Sequence, residues 1–75
     1  MIKIAQVGFG YWGPNLTRNL CNSKKFDLKI ICDLSKQRLN KINQQYPNVK
    51  TTHDINDIIM DKSITAVVIS TPVKT

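Results

Sequence analysis

Apolar positions along the chain fall into short β-branched runs that alternate with stretches of helical spacing. Ile2, Ile4 and Val7 form the first run, which stops at Gly8 as a buried parallel strand stops at a turn, and predicts a strand over 2–7. From Pro14 the spacing becomes helical, with Leu16 and Leu20 four apart. Pro14 suits a first helical turn, and Lys24-Lys25 sit where the helix dipole favours cations. Leu28, Ile30, Ile31 and Cys32 predict a second strand ended by Asp33. Ser35 then caps a second helix whose buried stripe is Leu39, Ile42 and Tyr46, stopped by Pro47-Asn48. Val49-Lys50-Thr51 is a short strand, and Thr52 or Asp54 can cap a third helix carrying Ile55, Ile58 and Ile59. Thr65 to Ile69 reads as a fourth strand, buried on both faces.

The order is therefore βαβαβαβ, an α/β chain with a parallel sheet. A doubly wound dinucleotide fold is built from two such halves. The chain of 75 residues is about half the usual domain length, and is expected to be the first half of a Rossmann-type sheet, truncated. Residues 1–75 are thus assigned to the N-terminal part of a dinucleotide-binding domain, with the rest of that domain and a substrate domain absent.

Composition narrows the classes. Eleven basic residues against five acidic ones leave a net charge of +6, which suggests nucleic acid at first sight. The lysines are scattered, however, no run exceeds Lys24-Lys25, and the aromatics do not interleave with them as on a stacking platform, so no nucleic-acid partner is assigned. The apolar runs fall far short of the ~18 residues of a membrane span, and Met1-Ile2-Lys3-Ile4 does not open a secretory signal. Cys21 and Cys32 form no Cys-x-x-Cys pair and His53 stands alone, so neither a metal site nor a disulfide scaffold is expected, and the thiols suit a cytoplasmic chain. Small packing roles are favoured for both cysteines, and a solvated or helix-starting role for His53.

The chemistry lies in Gly8-Phe9-Gly10-Tyr11-Trp12-Gly13, a G-x-G-x-x-G pattern that follows a predicted strand and opens a predicted helix. Asp33 lies twenty positions past Gly13, at the end of the next strand, as the dinucleotide fingerprint requires. Gly8 permits the tight turn, Gly10 has no Cβ to block a diphosphate, and Gly13 lets the helix pack closely on the sheet. The helix N-terminus offers unpaired N–H groups, with the amides of Tyr11 and Trp12 as donors; their side chains either touch the cofactor or simply pack on the surface. Asp33 can accept from both hydroxyls of an adenosine ribose and repels a 2′-phosphate, which favours NAD over NADP; its bland alternative is an Asp that merely starts a turn. Ser35, Lys36 and Arg38 are close enough in sequence to meet a phosphate.

Three segments together, Gly8 to Asn15, Cys32-Asp33-Leu34 with Arg38, and Ala66-Val67-Val68-Ile69-Ser70-Thr71-Pro72, resemble the glucose–fructose oxidoreductase, inositol dehydrogenase and MocA family. The Tyr-Trp-Gly-Pro-Asn form of the loop is similar to members that oxidise sugar nucleotides in bacterial surface-polysaccharide synthesis, such as UDP-N-acetylglucosaminuronate 3-dehydrogenases. The resemblance implies that Phe9 to Gly13 hold the diphosphate, Asp33 the adenosine ribose and Arg38 the adenine edge, while Ser70, Thr71 and Pro72 line the cofactor near its diphosphate and nicotinamide-side ribose. It also implies that the family's Glu-Lys-Pro lysine, its downstream His and Asp, and the domain that forms the sugar site and subunit contacts of an oligomer lie beyond Thr75. No residue present is assigned as a catalytic acid or base. The expectation is the NAD-binding segment of a sugar or sugar-nucleotide oxidoreductase; the alternative is a non-catalytic NAD-binding or scaffold module.

Overall fold

Backbone hydrogen bonding organises the chain into four parallel strands in the order β3-β2-β1-β4, as described by a computed structural model covering residues 1–9 and 13–70. The elements are β1 (Ile2–Val7), α1 (Gly13–Asn22), β2 (Phe26–Cys32), α2 (Lys36–Gln45), β3 (Lys50–Thr52), α3 (Asn56–Ile59) and β4 (Ala66–Ile69). This is the expected alternating α/β order and the Rossmann sheet arrangement. Leu16 and Leu20 of α1 and Leu39 and Ile42 of α2 pack with Ile4, Leu28 and Ile31 on one face of the sheet. Ile58 of α3 packs with Ala5, Ile30 and Cys32 on the other. The chain steps outward from β1 to β3, then returns past β1 to β4. Reversing the direction of travel at constant crossover hand moves the connecting helix to the opposite face, which makes the β1/β4 boundary the topological switch point.

Ser35 caps α2 as its position before the apolar stripe requires, with its Oγ accepting from Arg38 N–H. Tyr46 is the residue that ends α2, half-buried against the core, and its N–H closes the last turn on Ile42. Other local expectations are corrected. Lys24 and Lys25 are not in the last turn of α1, which ends at Asn22; Ser23 Oγ accepts from Lys25 N–H and turns the chain into β2. β2 starts at Phe26 because Ile2 and Lys3 of β1 already pair with Phe26 and Asp27. Val49 is a core residue at the turn before β3, and β3 runs one residue further than expected, to Thr52. Neither Thr52 nor Asp54 occupies the cap position of α3, which falls on Ile55, although Asp54 Oδ1 accepts from Asn56 N–H and Thr52 Oγ1 donates to Asp57.

The expectation that β4 is buried on both faces is not met. Val67 is 47% exposed and Ile69 69%. Both register with β1 residues on the α3 face, and α3 is a single turn of which only Ile58 is buried, too short to cover them. Ile55 and Ile59 are likewise exposed rather than part of a buried stripe. Only Val68 of β4 reaches the α1 and α2 core.

A bulge interrupts β2. Ile4 stands opposite Leu28, but Ala5 stands opposite Ile30, so Lys29 is the extra residue. Its insertion reverses the facing of the later β2 residues: Leu28 and Ile31 enter one core layer, Ile30 and Cys32 the other. Lys29 Nζ then reaches Asp61 Oδ2 and Ser63 Oγ, both at 2.6 Å, and ties the loop between α3 and β4 to the sheet. The Lys29 hydrogen bond, helped by the Ser63 hydroxyl and amide, holds the Asp61 carboxyl well below the usual carboxylate range. A carboxyl depressed in the folded state adds stability that is present above its unfolded value and is lost as pH falls through and below that range. The acid limb of stability should therefore be shallower in Asp61→Asn than in the parent chain, as read from urea midpoints by circular dichroism across an acid pH series. Superimposable limbs would mean that the pair adds nothing.

Candidate cofactor site

The carboxyl ends of all four strands converge on a cavity of about 560 Å³ walled by Val7, Gly8, Cys32, Asp33, Leu34, Arg38, His53, Asp54, Ile55 and Ser70. Crevices at strand carboxyl ends beside a switch point are where open α/β sheets bind ligands. Three backbone hydrogen bonds extend the sheet into this rim: Gly8 N–H to Cys32 O at 2.8 Å, Asp33 N–H to Thr52 O at 3.0 Å and Ser70 N–H to Val7 O at 2.7 Å. Gly8 has φ 91°, the left-handed region that a side chain disfavours, and there the chain leaves β1 for the glycine loop.

Asp33 is 7% exposed, and each of its carboxylate oxygens accepts a backbone amide. Phe9 N–H donates to Oδ2 at 2.8 Å and Ser35 N–H donates to Oδ1 at 2.8 Å, while Arg38 Nη1 stands 3.7 Å from Oδ1. Amides from two different loops thus hold one carboxylate. A carboxylate oxygen can accept more than one hydrogen bond, so each oxygen keeps capacity for a further donor, and this pair of acceptors suits the two hydroxyls of a vicinal diol. Arg38 is half exposed and forms the outer wall.

Of the residues expected to touch a cofactor, Gly8, Asp33, Arg38 and Ser70 come together around the cavity. Phe9 lies beneath it: its side chain is buried in the core, and its amide is committed to Asp33. Gly13 is the first residue of α1. Gly10, Tyr11, Trp12, Thr71 and Pro72 lie outside the described residues. Sequence reasoning missed the wall formed by Leu34, Asp54 and Ile55 and gave His53, an exposed wall residue, only a solvated or helix-starting role. It also missed Gln6 and Thr17, both completely buried; Gln6 Nε2 donates to Gly8 O at 3.0 Å, and Thr17 Oγ1 donates to Gln6 Oε1 at 2.8 Å. The available signal was a polar residue in phase with Ile4 on an otherwise apolar strand face.

With this geometry established, comparison with known proteins decides the family. The profile of GFO_IDH_MocA, described as an oxidoreductase family with an NAD-binding Rossmann fold, matches residues 2–75. The chain belongs to that family. Among solved structures, myo-inositol 2-dehydrogenase from Lactobacillus plantarum is 25% identical with a TM-score of 0.83, covering 95% of this chain and 21% of that one. GenD2 from gentamicin A biosynthesis, in complex with NAD, is 21% identical with a TM-score of 0.84, covering 95% of this chain and 20% of the other. Scyllo-inositol dehydrogenase from Lactobacillus casei, with bound NAD(H) and scyllo-inositol, is 24% identical with a TM-score of 0.81, covering 96% and 22%. The chain therefore spans about a fifth of the length of these structures. A search of curated proteins returned no match.

Burial pushes the Cys32 thiol up, and the carboxylates of Asp33, Asp54 and Asp57 add to the shift. Cys21 is raised as well, by burial and then by Asp27, but it is exposed. Since thiolate and access together set reactivity, Cys21 should be alkylated first, with Cys32, buried at the cavity wall, much slower until the chain unfolds. Mass spectrometry of iodoacetamide-treated protein with and without urea checks this; rapid labelling of Cys32 in native buffer would contradict its placement.

Proposed function

We propose that this chain binds NAD through Gly8, Gly10, Tyr11, Trp12, Gly13, Asp33, Arg38, Ser70, Thr71 and Pro72, with Phe9 acting through the amide that holds Asp33, as the cofactor-binding segment of an oxidoreductase acting on a sugar or sugar-nucleotide carbinol. The observation that carries the reading is the buried Asp33 carboxylate, held by two backbone amides at the cavity rim. Its remaining acceptor capacity suits the two ribose hydroxyls, and its charge opposes a 2′-phosphate. Gly8 turns the chain and Gly10 leaves room for the diphosphate at the start of α1, where unpaired amides favour an anion. Arg38 borders the adenine side, and Ser70 continues the wall from the end of β4. When bound, NAD supplies the hydride-accepting nicotinamide; the role of this chain is to orient and bind it. Support for a polyol substrate comes from inositol dehydrogenases among the similar folds. The glycine-loop form extends that class to sugar nucleotides of surface-polysaccharide synthesis, in a cytoplasmic enzyme that assembles as a homo-oligomer through a further domain. Among the described residues no helix is long and apolar enough to cross a membrane.

The test is cofactor titration followed by Trp12 emission, this being the one tryptophan. NADH should quench it and NADPH should bind more weakly. Asp33→Ala removes charge-assisted hydrogen bonds worth ~1.5–3 kcal/mol each, so NAD affinity should drop at least about tenfold and the preference over NADP should narrow. An unchanged NAD to NADP ratio would remove the ribose assignment. Gly10→Val should abolish the response while circular dichroism remains native; wild-type affinity in that folded variant would reduce the loop to a structural turn.

A further inference from the structure

Gln6 has no place in the cofactor contacts above, yet it is 0% exposed, as is Thr17. Its neighbours across the sheet in register are Ile31 and Val68, and both pack into the apolar layer beneath α1 and α2. A primary amide in such a layer is costly unless its hydrogen bonds are made, and an aliphatic side chain would fill the same position without that requirement. The orientation of the amide follows from its partners. Gly8 O can only accept, so Nε2 must face it, at 3.0 Å; Oε1 then faces Thr17 Oγ1, at 2.8 Å, and the hydroxyl must donate.

The carbonyl that Gln6 grips belongs to the first peptide of the glycine loop. A trans peptide is planar, with its C=O and its N–H on opposite sides. Fixing Gly8 O toward the α1 layer therefore fixes Phe9 N–H in the reverse direction, where it meets Asp33 Oδ2 at 2.8 Å. One peptide plane is held at both ends by buried side chains, and Gly8, at φ 91°, supplies the backbone rotation that this plane needs. Asp33 in turn has one oxygen fixed by this peptide and the other by Ser35 N–H.

We propose that Thr17 and Gln6 form a positioning relay that sets the Gly8–Phe9 peptide plane and thereby aims the Asp33 carboxylate at the adenosine ribose. The proposal rests on the NAD reading of the site. Both residues are fully buried and neither lines the cavity, so both act through the peptide.

The test uses the whole chain, with amide hydrogen exchange by NMR and NADH titration run on the same samples. In Gln6→Leu, Phe9 N–H should lose protection at least about tenfold while the amides of β1 and β2 keep theirs, and NADH affinity should fall about five- to tenfold, the equivalent of one net hydrogen bond. Thr17→Val should move both readouts the same way by a smaller factor, and it decides the matter by the same criteria if Gln6→Leu does not fold. Three results overturn the relay: wild-type protection of Phe9 in a folded variant, protection lost evenly across the sheet as a packing role would give, or unchanged NADH affinity once Phe9 protection is gone. Absence of NADH binding by the parent chain would instead remove the NAD reading, and the Phe9 exchange rates would still decide whether the relay sets the peptide plane.

Discussion

Everything at the cofactor rim depends on one buried carboxylate receiving two backbone amides. Asp33 sits at the end of β2, accepts from Phe9 in the loop after β1 and from Ser35 in the loop before α2, and so fastens two connections that are 24 and 2 residues away in sequence. Hydrogen bonds to an ionised acceptor are among the stronger ones a protein makes. Here they brace two loops, and the same residue lines the cavity in which the proposed ribose contact would form. A charge so placed is costly to bury alone; the amides, with Arg38 alongside, make its burial tolerable.

The parallel sheet provides the frame. β1 lies between β2 and β4, and the hydrogen bonds from Gly8 to Cys32 and from Ser70 to Val7 carry the ladder past the strand ends on both sides. The residues that meet at the cavity come from the ends of β1 and β2, from the residues that directly follow the four strands and from the first turn of α2. This is the usual division in α/β folds, where a rigid sheet positions loops that carry the chemistry. At the α3 side of the sheet, the Lys29 bulge and its contact with Asp61 and Ser63 hold the loop leading into β4, and hence the start of the strand that ends in Ser70.

Much of this was legible from local pattern. A strand that ends in Gly8, a helix whose first turn contains Pro14, and a serine ahead of the Leu39 and Ile42 stripe are short-range signals, each reflecting a constraint within a few residues of itself, and the acid twenty residues past the last glycine is read from a fixed spacing along the chain. Backbone freedom at glycine, capping by serine and the periodicity of β1 and α2 do not depend on what lies across the sheet. They determined the αβ order, the family resemblance and the place of the acid proposed to meet the cofactor.

What the tertiary structure decided has a common physical origin: it depends on residues distant in sequence. Ile69 reads as core from its β-branched neighbours, but its burial requires a covering element, and α3 is one turn long. The alternation along β2 cannot reveal that Lys29 is an extra residue, because a bulge is defined by the partner strand it opposes. The pairing of Lys29 with Asp61 spans 32 residues. Gln6 shows the limit most clearly: sequence marks it as a polar residue in an apolar phase, whereas its hydrogen bonds to Thr17, eleven residues away, and to the Gly8 carbonyl appear only in the folded chain. Local propensity specifies which elements form, and long-range geometry specifies which polar groups among them meet.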